Sequence, residues 1–361
     1  MNNYRKIAIF FPSFNIGGVE RVMIDLANTL HSLGERVSIV VCNNSGKLKE
    51  SLNVEIPIFS LDVKLRRALF PLKRFVKEQN ITVLLSGPDF PNFLSVLASR
   101  LLKYPPQIYL TQHNLFNAES KKLGLHGQLS PLLYRILYPY AKSVIAVSDA
   151  CKHMLQNLGI SPLKVTKINN PIDIDAISKN SEQLLDYQIP EDYILFIGRL
   201  TYIKNIELLI RAFNNISREI KNLHLVIVGD GPEKENLMKI AQQMISKDKI
   251  IFVGAQSNPY PYLKKARLLA LPSLSEAFPC VLIESMAFGV TPVVTPTSGA
   301  IECTKNGKYG YISKSFDSID EFSQIILKGL NAPLDRTNLI NYSKRFDKCI
   351  VSKQYLELFT K

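Results

Sequence analysis

Short apolar runs recur along this chain, with helix-length amphipathic segments between them. In the first half the runs are Ile7–Phe11, Val37–Cys42, Val83–Leu85, Ile108–Thr111 and Val144–Val147. In the second they are Tyr193–Ile197, Leu223–Val228, Ile250–Val253, Leu268–Leu271 and Pro292–Thr295. Continuous apolar runs fit strands covered on both faces, and their alternation with helices predicts a doubly wound parallel sheet. The pattern occurs twice, so two Rossmann-like α/β domains are expected, facing across a cleft of strand ends and helix N-termini. The expected divisions are an N-terminal domain over 1–170, a linker over 171–190, a second domain over 191–345 and a final helix over 346–361. The linker rests on Pro171, Pro190 and the lack of a strand pattern between them. The final helix rests on the spacing of Ile350, Val351, Tyr355, Leu358 and Phe359.

Length and composition agree with two domains: 361 residues, 46% of them apolar, exceed what one core needs. No run approaches the 18 or so apolar residues of a membrane span, and the start of the chain does not read as a signal segment. A cytoplasmic protein is expected. The five cysteines are scattered, with no C-x2-C pair, which argues against structural zinc and a disulfide framework.

Charge is divided unevenly. Of the net +13, residues 1–170 hold +11. The segment Lys64–Lys77 interleaves six cations with Leu65, Leu69, Phe70, Leu72, Phe75 and Val76. A second cluster sets Lys121, Lys122, Arg135 and Lys142 among Leu132, Leu133, Ile136, Leu137 and Tyr138. Such segments either rest on anionic lipid or are packed helices with a solvated basic face. No zinc finger, GxxG clamp or basic-aromatic sheet motif points to nucleic acid.

The densest chemistry lies in SEAFPCVLIE, Ser275 to Glu284. Glu276 should stand on a loop and Glu284 on the following helix, with Pro279 at its first position. The free amides of Cys280, Val281 and Leu282 would then favour an anion. Arg199 and Lys204, just past the strand Tyr193–Ile197, offer a fork and a point charge for a diphosphate. Gly17 and Gly18 lie between a strand and a helix, where a ligand approaches the backbone closely or the chain simply turns tightly. His113 follows the strand ending at Thr111. Gly229-Asp230-Gly231-Pro232 gives G-x-G with Lys234 where a dinucleotide fingerprint needs its third glycine, which weakens a dehydrogenase reading. Asp173-Ile174-Asp175 reads as a turn rather than a metal motif.

Taken in order, Gly17-Gly18-x-Glu20, His113, Asn170-Pro171, Gly198-Arg199-Leu200 with Lys204-Asn205, Gly229-x-Gly231-Pro232 and Glu276-x7-Glu284 resemble the retaining GT-B glycosyltransferases of family four. The resemblance covers nearly the whole chain. It implies a GT-B fold with the last helix packed back on the N-terminal domain. It also implies His113, Arg199, Lys204 and Glu276 as catalytic residues. The donor would be bound by Gly17, Gly18, Arg199, Lys204, Gly254, Glu276, Phe278, Pro279, Cys280, Val281, Leu282 and Glu284. In that scheme Arg199 and Lys204 hold the diphosphate, Glu284 the ribose hydroxyls and Glu276 the transferred sugar, with no metal or other cofactor. The departing phosphate, not a carboxylate, takes the acceptor's proton, and configuration is retained. The expected donor is a UDP-sugar. The expected acceptor is a saccharide, polyprenyl-diphosphate-linked, met through peripheral contact of the basic first domain with the inner face of the cytoplasmic membrane. Ala277 departs from the glycine common at its place in the family and adds a methyl group near the sugar. Two other readings stay open on the sequence: a sugar-nucleotide epimerase of the same fold, and a non-catalytic binding protein.

Overall fold

The computed structural model of the chain describes residues 5–116, 125–185 and 189–360. Two compact units emerge, Met1–Ile172 with Lys348–Lys361, and Asp173–Asp347. The first holds strands β1 (Lys6–Phe11), β2 (Arg36–Val41), β3 (Ile58–Ser60), β4 (Val83–Ser86), β5 (Gln107–Gln112), β6 (Ser143–Ala146) and β7 (Val165–Lys167). They form one sheet in the order β3-β2-β1-β4-β5-β6-β7, parallel at every pairing. The chain begins in the sheet interior, builds outward through β2 and β3, then returns to place β4 on the other side of β1. At that reversal the loops leaving β1 and β4 run in opposite directions and open a crevice beyond the strands' C-terminal ends.

The second unit repeats the plan with β8 (Tyr193–Ile197), β9 (His224–Val228), β10 (Ile250–Gly254), β11 (Leu268–Leu271), β12 (Thr291–Val294) and β13 (Tyr311–Ile312). Its order is β10-β9-β8-β11-β12-β13, again all parallel, so the reversal falls between β8 and β11. All ten expected strands are present, none of their ends more than one residue from the expected position. The three that the apolar pattern does not reveal, β3, β7 and β13, are margin strands of two or three mostly half-buried residues. With one face half-open they need no continuous apolar run.

Helices cover both sheets. The helix Gly18–Ser32 buries Val22, Met23, Leu26, Ala27 and Leu30 along one stripe. Beside it packs the final helix, Lys348–Thr360, through Val351, Tyr355 and Phe359, all in the same core cluster as β1 and β2. The Phe359 ring lies 4.6 Å from that of Tyr109, whose hydroxyl donates to the Leu358 carbonyl at 3.2 Å. Each such aromatic adds about 2–3 kcal/mol by leaving water, which holds the chain's last segment to the first unit. No helix among the described residues is long and apolar enough to cross a membrane.

One expectation is corrected here. Residues 171–190 are not simply a linker: Ile174–Asn180 is a helix of the second unit, and Asp173 caps it by accepting from the Ala176 amide at 3.0 Å. The Asp173 carboxylate therefore starts a helix rather than a turn. Of the two readings of Lys64–Lys77, the structure shows the packed helix with a basic face. The segment folds as a 3-10 turn, Leu65–Arg67, and a helix, Leu69–Glu78, whose Leu72, Phe75 and Val76 enter a core cluster with Ala68 and Leu84. Of its large apolar side chains only Phe70 stays exposed. Lys121 and Lys122 of the second basic cluster lie outside the described residues.

Candidate functional site

In the second unit two of the predicted residues, Lys204 and Glu276, meet at the β8/β11 reversal. Arg199 lies on the loop leaving β8, exposed to solvent, and makes no ion pair with a described residue. A 3-10 turn, Tyr202–Lys204, then brings Lys204 back toward the sheet, and Asn205 adopts a left-handed conformation (φ 48°) before the helix Ile206–Ile216. Asparagine tolerates that conformation better than most residues, and its side-chain amide donates to the Phe316 carbonyl at 2.9 Å. From β11 the chain runs into Pro272–Phe278, where the Leu274 amide donates to the Ile203 carbonyl at 2.7 Å. The two loops are thereby stitched together. Glu276 meets Lys204 across the stitch, with Oε1 2.5 Å from Nζ and the side chains only 11% and 24% exposed.

A third residue completes this contact. The buried Ser273 hydroxyl donates to the same Glu276 oxygen at 2.6 Å, and the Ser273 carbonyl accepts from the Thr295 hydroxyl. Behind Glu276 the Gly299 amide donates to its carbonyl at 3.0 Å, so the carboxylate sits on a backbone fixed from both sides. A Cβ at Gly299 would stand 2.7 Å from the backbone of Glu276 and Ala277, which explains the close passage of the helix Ser298–Cys303.

Past the loop the helix Cys280–Ala287 begins, with Pro279 as its extended N-cap rather than its first helical residue, one position earlier than expected. The amides of Cys280 and Val281 therefore open the helix, while that of Leu282 already bonds the Pro279 carbonyl at 3.0 Å. Phe278 is buried, its ring 5.6 Å from that of Phe346. One turn on, Glu284 is half-buried and accepts from the Tyr260 hydroxyl at 3.3 Å. Tyr260 and Ser273 are the residues sequence reasoning missed in this unit. Each lies on a different segment from the acid it contacts or is an unremarkable serine in sequence, and no spacing announces either.

The glycines of Gly229-x-Gly231 have a packing role. A Cβ on Gly229 (φ 151°) would come 1.9 Å from the Gly198 carbonyl oxygen, and one on Gly231 would come 2.3 Å from that of Leu200. They let the loop after β9 lie against the loop carrying Arg199, where the Leu200 amide bonds the Asp230 carbonyl at 2.9 Å. Gly254 ends β10, two strands from the reversal, with φ 84° and open space where a Cβ would project.

In the first unit Gly17 and Gly18 lie beyond β1, and Gly17 caps the helix Gly18–Ser32 with no side-chain hydrogen bond. The Glu20 carboxylate folds back over that start, where a Cβ on Gly17 would meet it at 2.1 Å. Burial raises the Glu20 carboxyl above its usual range, partly offset by its own backbone amide. His113 follows β5 and is buried. Burial lowers its ring to about 4, only partly offset by the neighbouring Asn170 side chain, so the imidazole is neutral at pH 7. Neither ring nitrogen makes a close hydrogen bond with a described residue.

A buried polar chain holds the His113 loop. The Gln112 side-chain amide donates to Asp89 Oδ1 and to the Asn114 carbonyl, both at 2.9 Å, and its oxygen accepts from the Tyr138 hydroxyl at 2.9 Å. Tyr138 in turn accepts from Asn92 at 3.1 Å, which also donates to the Thr111 carbonyl at 3.0 Å. Desolvation raises the Asp89 carboxyl, against hydrogen bonds from Tyr134, Gln112 and Asn114. Asp89 was invisible in the sequence because only the fold brings the end of β4 beside the end of β5.

Two parallel α/β sheets, with charged and glycine-bearing loops at the C-terminal side of each reversal, define a two-domain transferase of the GT-B fold. The chain belongs to the glycosyltransferases of group 1. The family model described as Glycosyl transferases group 1 matches residues 180–346, and that of Glycosyltransferase Family 4 matches residues 16–176. One similar protein, from Campylobacter jejuni, is N-acetylgalactosamine-N,N'-diacetylbacillosaminyl-diphospho-undecaprenol 4-alpha-N-acetylgalactosaminyltransferase, 29% identical over 85% of this chain and 86% of its own. Another from the same organism, a GalNAc-alpha-(1->4)-GalNAc-alpha-(1->3)-diNAcBac-PP-undecaprenol alpha-1,4-N-acetyl-D-galactosaminyltransferase, is 27% identical over 98% of both chains. Among solved structures, Anabaena HepE in complex with UDP and glucose superposes with a TM-score of 0.78 at 21% identity, covering 99% of this chain and all of that one.

Proposed function

We propose that this glycosyltransferase moves a hexose or N-acetylhexosamine from a UDP-sugar to a polyprenyl-diphosphate-linked saccharide, with retention of configuration and without a metal ion. The observation that carries the reading is the Lys204–Glu276 contact at the β8/β11 reversal, with Arg199 exposed on the loop that leaves β8. Two cations and the first amides of the helix Cys280–Ala287 supply what a departing diphosphate needs, fixed positive charge in a partly desolvated place. Glu276, held by Ser273, is set to accept hydrogen bonds from sugar hydroxyls and so to orient the anomeric carbon. Glu284, braced by Tyr260, takes the ribose hydroxyls. In the first unit Gly18 leaves open space where a Cβ would project, room for a ligand at the backbone, and the neutral His113 is a hydrogen-bonding group of that unit. In the step itself the bond from the anomeric carbon to the diphosphate oxygen breaks and the acceptor oxygen bonds that carbon. The acceptor's proton passes to the departing phosphate. The names of the two Campylobacter relatives support the lipid-linked acceptor and the aminosugar, and the HepE complex supports UDP.

The deciding experiment is a screen of nucleotide sugars read by release of free nucleotide, with product mass measured on an undecaprenyl-diphosphate-linked saccharide. Nucleotide release without a glycoside of the right mass sinks the transfer reading. Loss of all activity in EDTA sinks the metal-free one, and a product of inverted anomeric configuration sinks retention.

A further inference from the structure

The last two residues of β5 and the two that follow, Thr111 to Asn114, lie against the end of β4 and the helix Asp89–Arg100 that leaves it. Three of these four side chains are spent on holding that place. The Thr111 hydroxyl donates to the Ser86 carbonyl at 2.8 Å. The Gln112 amide donates to Asp89 Oδ1 at 2.9 Å, and the Asn114 amide reaches Asp89 Oδ2 at 3.5 Å. The fourth, His113, bonds neither β4 nor the helix, although the residue is only 8% exposed.

One carboxylate therefore grips the chain on both sides of His113. Its two oxygens take donors from residues 112 and 114, and Gln112 also donates to the Asn114 carbonyl at 2.9 Å, which closes the loop on itself. Asp89 is anchored in turn as the first residue of its helix and by a hydrogen bond from Tyr134. Gly87 lets the end of β4 come up to the ring: a Cβ there would stand 2.2 Å from Thr111 Oγ1 and 3.6 Å from His113 Cδ2. With both chain neighbours held by one carboxylate, the backbone at His113 cannot pivot, and the ring keeps one place. A buried imidazole whose nitrogens the fold leaves unspent works against folding, and is tolerated where a ligand supplies the partner. Holding such a group to a fraction of an ångström is what makes its hydrogen bond productive. We infer that Asp89 is a positioning residue for the transfer reaction, setting where the His113 imidazole stands when substrate arrives. The inference rests on the reading of His113 as a group that meets substrate; Asp89 acts through it.

The test is a double-mutant cycle between Asp89 and His113 in the full chain, joined to spectra of the histidine rings. Asp89→Asn keeps the size of the side chain but turns an amide, in place of an acceptor, toward the Asn114 amide. It should lower kcat about tenfold and leave donor KM within about twofold. In the His113→Gln protein the same substitution should lower kcat by less than about twofold, because the group it positions is gone. Asn114→Ala removes only the exposed arm of the clasp and should leave the melting temperature near the wild-type value. It should lower kcat about threefold with the same dependence on His113, and it carries the cycle where Asp89→Asn yields too little folded protein. In the unliganded chain, long-range proton–nitrogen spectra should show the His113 ring signals moved or doubled by either substitution, with the other four histidines in place. Equal losses of kcat in both backgrounds would make the clasp a plain cross-link of β4 to β5 and overturn the inference. Ring signals that stay put in both folded variants overturn it too, as does undiminished transfer by the His113→Gln protein. If no donor releases nucleotide, the transfer reading fails, and the ring spectra still decide whether Asp89 fixes the imidazole.

Discussion

Lys204 and Glu276 lie 72 positions apart in the chain, yet their side chains meet at 2.5 Å between the loops that leave β8 and β11. Each arrives from one of the two strands that flank the sheet's reversal, so topology alone explains the meeting. Neither group is fully solvated, and pairing offsets the cost of drawing both charges partly out of water. The pair also keeps a cation and a carboxylate together where a diphosphate and a sugar are proposed to lie side by side. A ligand then exchanges one partner for another in place of stripping water from isolated charges.

Glu276→Ala should lower kcat/KM for transfer by about 100-fold, the scale of a substrate held out of line. The same change leaves Lys204 partly buried without its partner, and should cost about 2 kcal/mol of stability, between exposed and fully buried pairs. Nucleotide release under subsaturating donor and urea unfolding read the two effects separately. Undiminished transfer by a folded Glu276→Ala protein would remove the residue from the site.

The two acids should fail differently when their supports are removed. Ser273→Ala deletes a hydrogen bond to the carboxylate proposed to orient the sugar, and should lower kcat about fivefold with little change in KM for the donor. Tyr260→Phe deletes the bond to Glu284 at the nucleoside end, and should raise donor KM and the Kd for free UDP by a similar factor while sparing kcat. Interchange of those two patterns, read from full saturation curves, would reverse the roles given to Glu276 and Glu284.

Gly229 and Gly18 separate a packing glycine from a binding one. An alanine at Gly229 meets the Gly198 carbonyl at 1.9 Å in a backbone conformation hostile to a side chain, and should cost about 3 kcal/mol of stability. An alanine at Gly18 meets nothing within 4 Å and should leave the melting temperature unchanged, but it should weaken UDP binding by about tenfold. Calorimetric unfolding with UDP titration checks both. Equal UDP affinity in the Gly18→Ala protein would show that the glycine merely forms the turn.

What the sequence disclosed follows from what each feature depends on. β1, β8 and β11 are buried on both faces, so their composition alone marks them, whereas β3, β7 and β13 lie at sheet margins where half-exposed residues suffice. The first helix of the second unit hid in Ile174–Asn180 because it is short and one residue, Ile177, supplies its buried face. Glu276, Glu284, Arg199 and Lys204 stood out by type and spacing near strand ends. Tyr260 and Asp89 did not, because the acids and loops they support come from other segments of the chain.

His113 gives the molecule a pH dependence of predictable sign. Burial lowers its ring from the usual 6.5 to about 4, so in the folded chain it stays neutral while an unfolded chain takes up a proton below 6.5. The unfolded state binds more protons throughout that interval, so stability rises with pH across it. The contribution is present above 6.5 and is lost as pH falls toward 4, by about 3 kcal/mol in all. His113→Gln removes the titrating group, and the variant should lose less stability than the wild type between neutral pH and the acid end of this window. Urea unfolding of both proteins at the two ends measures the difference. Parallel losses would mean that the ring is as free to ionise folded as unfolded, contrary to its burial beside Asn170. The same neutrality means that any kinetic transition near 6.5 should survive in the His113→Gln protein, since it must arise elsewhere.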